Sequence, residues 1–142
     1  MTTNQNQLRA PVAEAMKAYA QDGARAFHTP GHKQGLGAHP LLQELITPQG
    51  LKEEVSLMEE LDDLHEPTMC IKEAQELAAQ LYGADAAYFM INGTSGAIQA
   101  MIMGTLKPGD TVLVPRNAHR SLIGGLILTG VTPVYIQPRI DR

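Results

Sequence analysis

The residues best placed to do chemistry are Thr94, Ser95 and Gly96, in the run Asn92-Gly93-Thr94-Ser95-Gly96 between two apolar stretches. Glycine allows close backbone approach, and the two hydroxyls can donate. The sequence predicts a buried strand over Ala86–Ile91 and a helix running on past Met101. Phe89 to Leu106 carries no charged residue, so no Asp or Glu answers the positive end of that helix. A strand, a small polar turn and an uncharged helix start make a seat for an external phosphate. The pattern is neither GxxxxGK[ST] nor GxGxxG. The plainer alternative is a Ser-capped core helix after a tight βα turn.

Other chemistry-bearing residues fall in three places. His119 lies in Pro115–Ser121, a loop expected at the same sheet edge as Thr94 and Ser95. His28 and His32 sit in the turn-rich Phe27–Gly37 loop. Pro30 and Gly31 separate them and no Cys joins them, so metal binding is not expected; a place near a cofactor or subunit contact, or an ordinary surface loop, fits better. Asp62 and Asp63 belong to the acidic run Lys52–Glu66, which reads as a solvated face or, more sharply, as the entrance for a cationic substrate.

The elements that must position these groups follow from periodicity. Residues 1–8 read as a polar start. Pro11–Gln21 is predicted helical, opening on Pro and stopping before Asp22-Gly23. Pro40–Ile46 is predicted as a short helix. Ile71–Tyr82 is predicted as a helix with Ile71, Ala74, Leu77, Ala78 and Leu81 on one stripe and Gly83 as its stop. After the strand and helix around Gly93, Thr111–Val114 is predicted as a strand, Asn117–Leu128 as a helix capped around Asn117, and Thr132–Ile136 as a third strand. The last third therefore reads βαβαβ, an α/β parallel-sheet segment preceded by helices and loops. Crossovers of this kind are right-handed, and ligands gather beyond the carboxyl ends of the strands. There the loops Asn92–Gly96, Pro115–Ser121 and Gln137–Arg139 are expected to meet.

Composition narrows the function classes. The chain has 142 residues, 44% hydrophobic and 18% charged, which is globular rather than disordered. A net charge of −4, from 11 basic and 15 acidic residues, argues against nucleic acid or an anionic membrane as the main partner. Cys70, the one cysteine, excludes an internal disulfide framework and fits a reducing compartment. No apolar h-region follows Met1, and no apolar stretch is long enough for a span. A cytoplasmic location is expected.

Taken in order, HTPGHKQG, LDDLHEP, IKEAQELAAQLYGAD, YFMINGTSGAIQAM, PGD, VPRNAHRSLIGGLILTG and PVYIQPRID resemble the Orn/Lys/Arg decarboxylase family from about Phe27 onward. The likeness is greatest to the shorter, wing-less arginine or lysine decarboxylases. The resemblance implies the N-terminal part of an aspartate-aminotransferase-like large domain that binds pyridoxal 5'-phosphate. It implies an arm and helix over 1–26 and a partial cofactor-binding domain over 27–142. Its substrates are basic amino acids, and its members are homodimers or larger. By that likeness Thr94, Ser95 and Gly96 match the segment holding the cofactor phosphate, and His119 matches the histidine stacked on the pyridine ring. His28, His32, Asp62 and Asp63 match loops near the active-site mouth.

Two departures follow from the same likeness. Met69 stands where the family usually has Gly, which implies local strain if that position needs φ > 0. The family's cofactor-binding lysine and the aspartate that pairs with the pyridine nitrogen lie beyond this region, and none of Lys17, Lys33, Lys52, Lys72 and Lys107 matches the lysine's motif. The chain is thus expected to hold cofactor-binding residues but no catalytic lysine, to be inactive alone, and to need a partner or the rest of its fold to cover its apolar faces. A non-catalytic remnant or phosphate-binding interaction module is the alternative.

Overall fold

A computed structural model describes residues 5–139. The chain packs as two compact units that divide after Phe89.

In the first unit a 3-10 turn, Gln5–Leu8, leads into α1 (Pro11–Gln21). Proline fits the first helical position because its missing N–H would be unpaired there anyway. Glu14 reaches back to the Ala10 amide at 2.9 Å and holds Arg9 at 2.6 Å. Arg9 also pairs with Glu73, tying this start to α4 (Cys70–Tyr82). Two short helices, α2 (Pro40–Leu45) and α3 (Pro48–Glu53), each open on proline and are capped by His39 Nδ1 and Thr47 Oγ1. Helix α1 packs on α3 and α4, and Leu51, Leu61 and Ala79 are buried in this unit. Gly83 ends α4 at φ +65, where its amide reaches Ala79 and Gln80; a left-handed residue at that place favours glycine.

The second unit runs α5 (Gly93–Thr105), β1 (Thr111–Pro115), α6 (Arg120–Thr129), β2 (Thr132–Ile136). The strands are parallel, in register from Thr111 opposite Thr132 to Pro115 opposite Ile136. A parallel pair needs a crossover, and α6 supplies it. Val114, Leu126 and Val131 form the core, with Leu106, Val112, Ala118 and Leu122 packed against it. Helices α5 and α6 approach closely because Gly124 and Gly125 face Gln99 and Ile102: a Cβ on Gly125 would lie 2.7 Å from Ile102 Cδ1.

The parallel α/β class stands, with three corrections of detail. The strand expected over Ala86–Ile91 carries no ladder, and Tyr88 and Ile91 are 79% and 82% exposed. A strand is defined by its lateral partner, and among the described residues none pairs with this segment. The cap of α6 is His119, not Asn117: its Nδ1 accepts from the Ser121 amide at 3.2 Å. Met69 adopts φ −126, so a positive-φ strain does not arise there.

Candidate functional site

The second unit brings the predicted phosphate and ring residues to one edge. The Gly109 amide bonds the Gly130 carbonyl at 3.4 Å, so the turn after α5 lies beside the end of α6. The two helices therefore run the same way, and their first turns share the opposite end. The Gln99–Gly124 contact lies six residues past Gly93 and four past Arg120. At a rise of about 1.5 Å per residue, the two helix starts lie within about one turn of each other. Pro115 and Ile136 end their strands on this side, where the Arg116 amide bonds the Ile136 carbonyl at 2.9 Å. Arg116 also lies over the Tyr135 ring, 4.8 Å from its centroid.

Among the described residues, nothing answers the start of α5. No side chain caps it and its first turn holds no acid, so the Ser-capped alternative is not what forms. Gly93 takes φ +64, a conformation that favours glycine. A Cβ on Gly96 would fall 2.9 Å from Asn92 Cβ, so the turn closes tightly only with glycine there. Thr94 and Ser95 are exposed and Gly96 is half-buried. Backbone N–H groups with the positive helix end suit an anion.

His119 is exposed, with Nδ1 held by the Ser121 amide and 2.9 Å from Ser121 Oγ. Because Nδ1 accepts from the amide, the neutral ring carries its proton on Nε2. These contacts use the ring's edge and fix its direction, leaving its faces for stacking. Lys107, the one lysine among the described residues of this unit, sits in the turn after α5, at the far end from Ser95 and His119.

The four entrance candidates lie in the first unit and already have partners. His28 Nε2 meets Tyr19 Oη at 3.0 Å, and its Nδ1 lies against the Thr29 carbonyl. His32 accepts the Gly35 amide on Nδ1 at 3.0 Å and donates from Nε2 to Glu54 at 2.9 Å. Among the described residues no group of three or more His, Cys, Asp or Glu is arranged to hold a metal. Asp63 accepts the His65 amide at 2.8 Å.

Asp62 has a role that the sequence reading missed. It is 6% exposed, at φ +88, and its carboxylate accepts amides from Asp63, Thr68, Met69 and Ile71 at 2.8–2.9 Å. Burial pushes its pKa up, but the amides of Thr68, Met69, Asp63 and Ile71 outweigh burial and lower it to about 2. It is the internal anion for the start of α4. The signal in the sequence was indirect: α4 begins at Cys70 with no Ser, Thr, Asp or Asn at its cap. Cys70 Sγ donates to the Leu61 carbonyl at 2.9 Å, and burial raises its pKa.

The profile of the Orn/Lys/Arg decarboxylase major domain matches residues 10–142. The chain belongs to the Orn/Lys/Arg decarboxylase family. It is 44% identical over 135 residues to the arginine decarboxylase of Halalkalibacterium halodurans, covering 95% of this chain and 28% of that protein. It is 40% identical over 137 residues to the arginine decarboxylase of Bacillus subtilis, covering 96% and 28%. Among solved structures, the constitutive lysine decarboxylase of E. coli superposes with a TM-score of 0.80 at 31% identity, over 94% of this chain and 20% of that one. This family member thus spans 28% of the length of either curated arginine decarboxylase. No helix among its described residues is long and apolar enough to cross a membrane.

Proposed function

We propose that this family member is the cofactor-anchoring part of a pyridoxal-phosphate-dependent decarboxylase of a basic amino acid. The observation that carries the reading is the uncapped, acid-free start of α5 beside the exposed, oriented imidazole of His119. The residues fit the group: the amides and hydroxyls of Thr94, Ser95 and Gly96 would hold a phosphate dianion, and the His119 ring would cover the pyridine. When bound, pyridoxal phosphate supplies a sink for the electrons released as carbon dioxide leaves an amino acid. This chain's own part is to bind the phosphate, orient the ring and shield one of its faces.

Residues 27–142 would form part of the cofactor-binding large domain, with 1–26 as its arm, in a cytoplasmic homodimer or larger oligomer. Arginine leads the substrate candidates, because the relatives named for it reach 44% identity against 32% for an inducible lysine decarboxylase. Lysine and ornithine follow. The acidic turn with Asp63 and the loop with His28 and His32 would serve the substrate entrance; Asp62 acts there only by shaping the turn. Lys107 lies at the far end of α5, and none of Lys17, Lys33, Lys52, Lys72 and Lys107 matches the family's lysine motif, so the chain alone should release no carbon dioxide from arginine, lysine or ornithine.

The test is a titration of the chain with pyridoxal phosphate, alongside Ser95→Ala and His119→Ala. Each variant should bind about tenfold more weakly; equal affinity for all three proteins overturns the site. Decarboxylation by the unaided chain would overturn its inactivity while leaving the phosphate assignment standing.

A further inference from the structure

The first unit holds a second place suited to an anion, remote in sequence from Ser95 and His119. A cavity of about 290 Å³ lies between the end of α1, the Gly23–Phe27 segment and the loop around Lys33. Arg25, Lys33 and Lys52 line it, and among the described residues no acidic one does. In a chain of net charge −4, three cations meeting without an acid is the reverse of what composition favours.

The neighbouring carboxylates are engaged elsewhere. Asp22 accepts the Ala24 amide at 2.6 Å, Glu53 accepts from Gln49 at 2.7 Å, and Glu54 meets His32 at 2.9 Å. The ion pairs among the described residues belong to Arg9 and His32, not to these three cations. Lys33 is held in place: it adopts φ +51 and its ammonium donates to the His28 carbonyl. An ammonium so anchored keeps two further N–H donors. Gln34 adds one polar side chain, and the remaining wall is apolar, with Ala24, Phe27 and Leu36. Phe27 is 91% exposed, which gives a flat ring a surface to lie on. The volume is close to the lower bound of about 300 Å³ for small-molecule sites.

We propose that this cavity binds a small aromatic phosphate of the nucleoside-monophosphate class, its phosphate between Arg25, Lys33 and Lys52 and its ring against Phe27. Arginine pairs with phosphate through two parallel N–H donors, and lysine adds point charge. Its lining residues all belong to the first unit.

Calorimetric titration of the chain with adenosine monophosphate, adenosine and inorganic phosphate tests it. Adenosine monophosphate should saturate one site, and adenosine should bind at least about tenfold more weakly. Inorganic phosphate should also be weaker, because it lacks the ring. Arg25→Ala with Lys52→Ala should lower nucleotide affinity about tenfold or more, Phe27→Ala about threefold, and Ser95→Ala should leave it unchanged. No saturable binding, equal binding by the double variant, or a loss that follows Ser95→Ala instead would each overturn the proposal. If the double variant fails to melt cooperatively, Lys52→Ala alone decides, with about a threefold loss expected and undiminished binding counting against the site.

Discussion

Helices α4 and α5 have the same length, 13 residues, and opposite solutions at their first turns. The start of α4 is answered from within: Asp62, brought back by the turn before Thr68, accepts the Met69 and Ile71 amides on Oδ2, while its Oδ1 takes the Thr68 amide just before the helix. Among the described residues the start of α5 has no such answer: its first turn holds no acid and it has no side-chain cap, and Gly93 and Gly96 hold the turn tight. A helix start that brings its own anion is structural, and one that is built open is ready for an anion from outside.

The largest expected effect breaks the α4 side. Asp62→Ala removes a buried acceptor of several amides and should destabilise the chain by about 2–3 kcal/mol in urea unfolding. An unchanged midpoint would show that the amides find other partners. The same carboxylate gives a pH signature. Its folded pKa, about 2, lies below the ordinary 3.8, so its contribution is full above about pH 4 and is lost as pH falls through 2. Asp62→Asn should flatten the acid limb of the stability curve between those values; an unaltered limb would assign the acid sensitivity to other groups.

A second substitution converts α5 into an α4-like helix. Ser95→Asp places an internal acid in the open first turn. It should weaken pyridoxal phosphate binding by about tenfold or more by charge repulsion. It should also raise thermal stability slightly, by about 0.5 kcal/mol, through the helix dipole. Retained affinity would mean that the phosphate sits elsewhere. The smallest effect is at the turn itself. Gly93→Ala must hold a side chain at φ +64, which should cost about 1 kcal/mol and be read as a lowered melting temperature.

Much of this was legible in the sequence. Helix α1, strand β2 and the glycine ends of α4 and α6 fall where periodicity and punctuation put them, because these are local properties of ten or so residues. That Thr94–Gly96 and His119 lie toward the same end of the second unit followed from the parallel crossover, which dictates which loops share an edge. The Ala86–Ile91 segment failed because apolar β-branched and aromatic composition states a preference, whereas a strand needs a neighbour. The cap of α6 was misplaced by two residues because Asn117 and His119 both have suitable acceptors, and only the backbone's exit from β1 selects His119.

The sequence by itself determined the family, the succession α5, β1, α6, β2 after Gly93, and the absence of charge around α5. Those follow from residue identities and short-range periods. Only the tertiary structure decided that Asp62 turns inward to α4 rather than outward to a substrate, and that Arg25, Lys33 and Lys52 meet at one cavity. Both depend on where separated segments fold back against each other. Long-range approach of that kind is set by packing and by the pairing of buried polar groups, and a linear pattern does not encode it residue by residue.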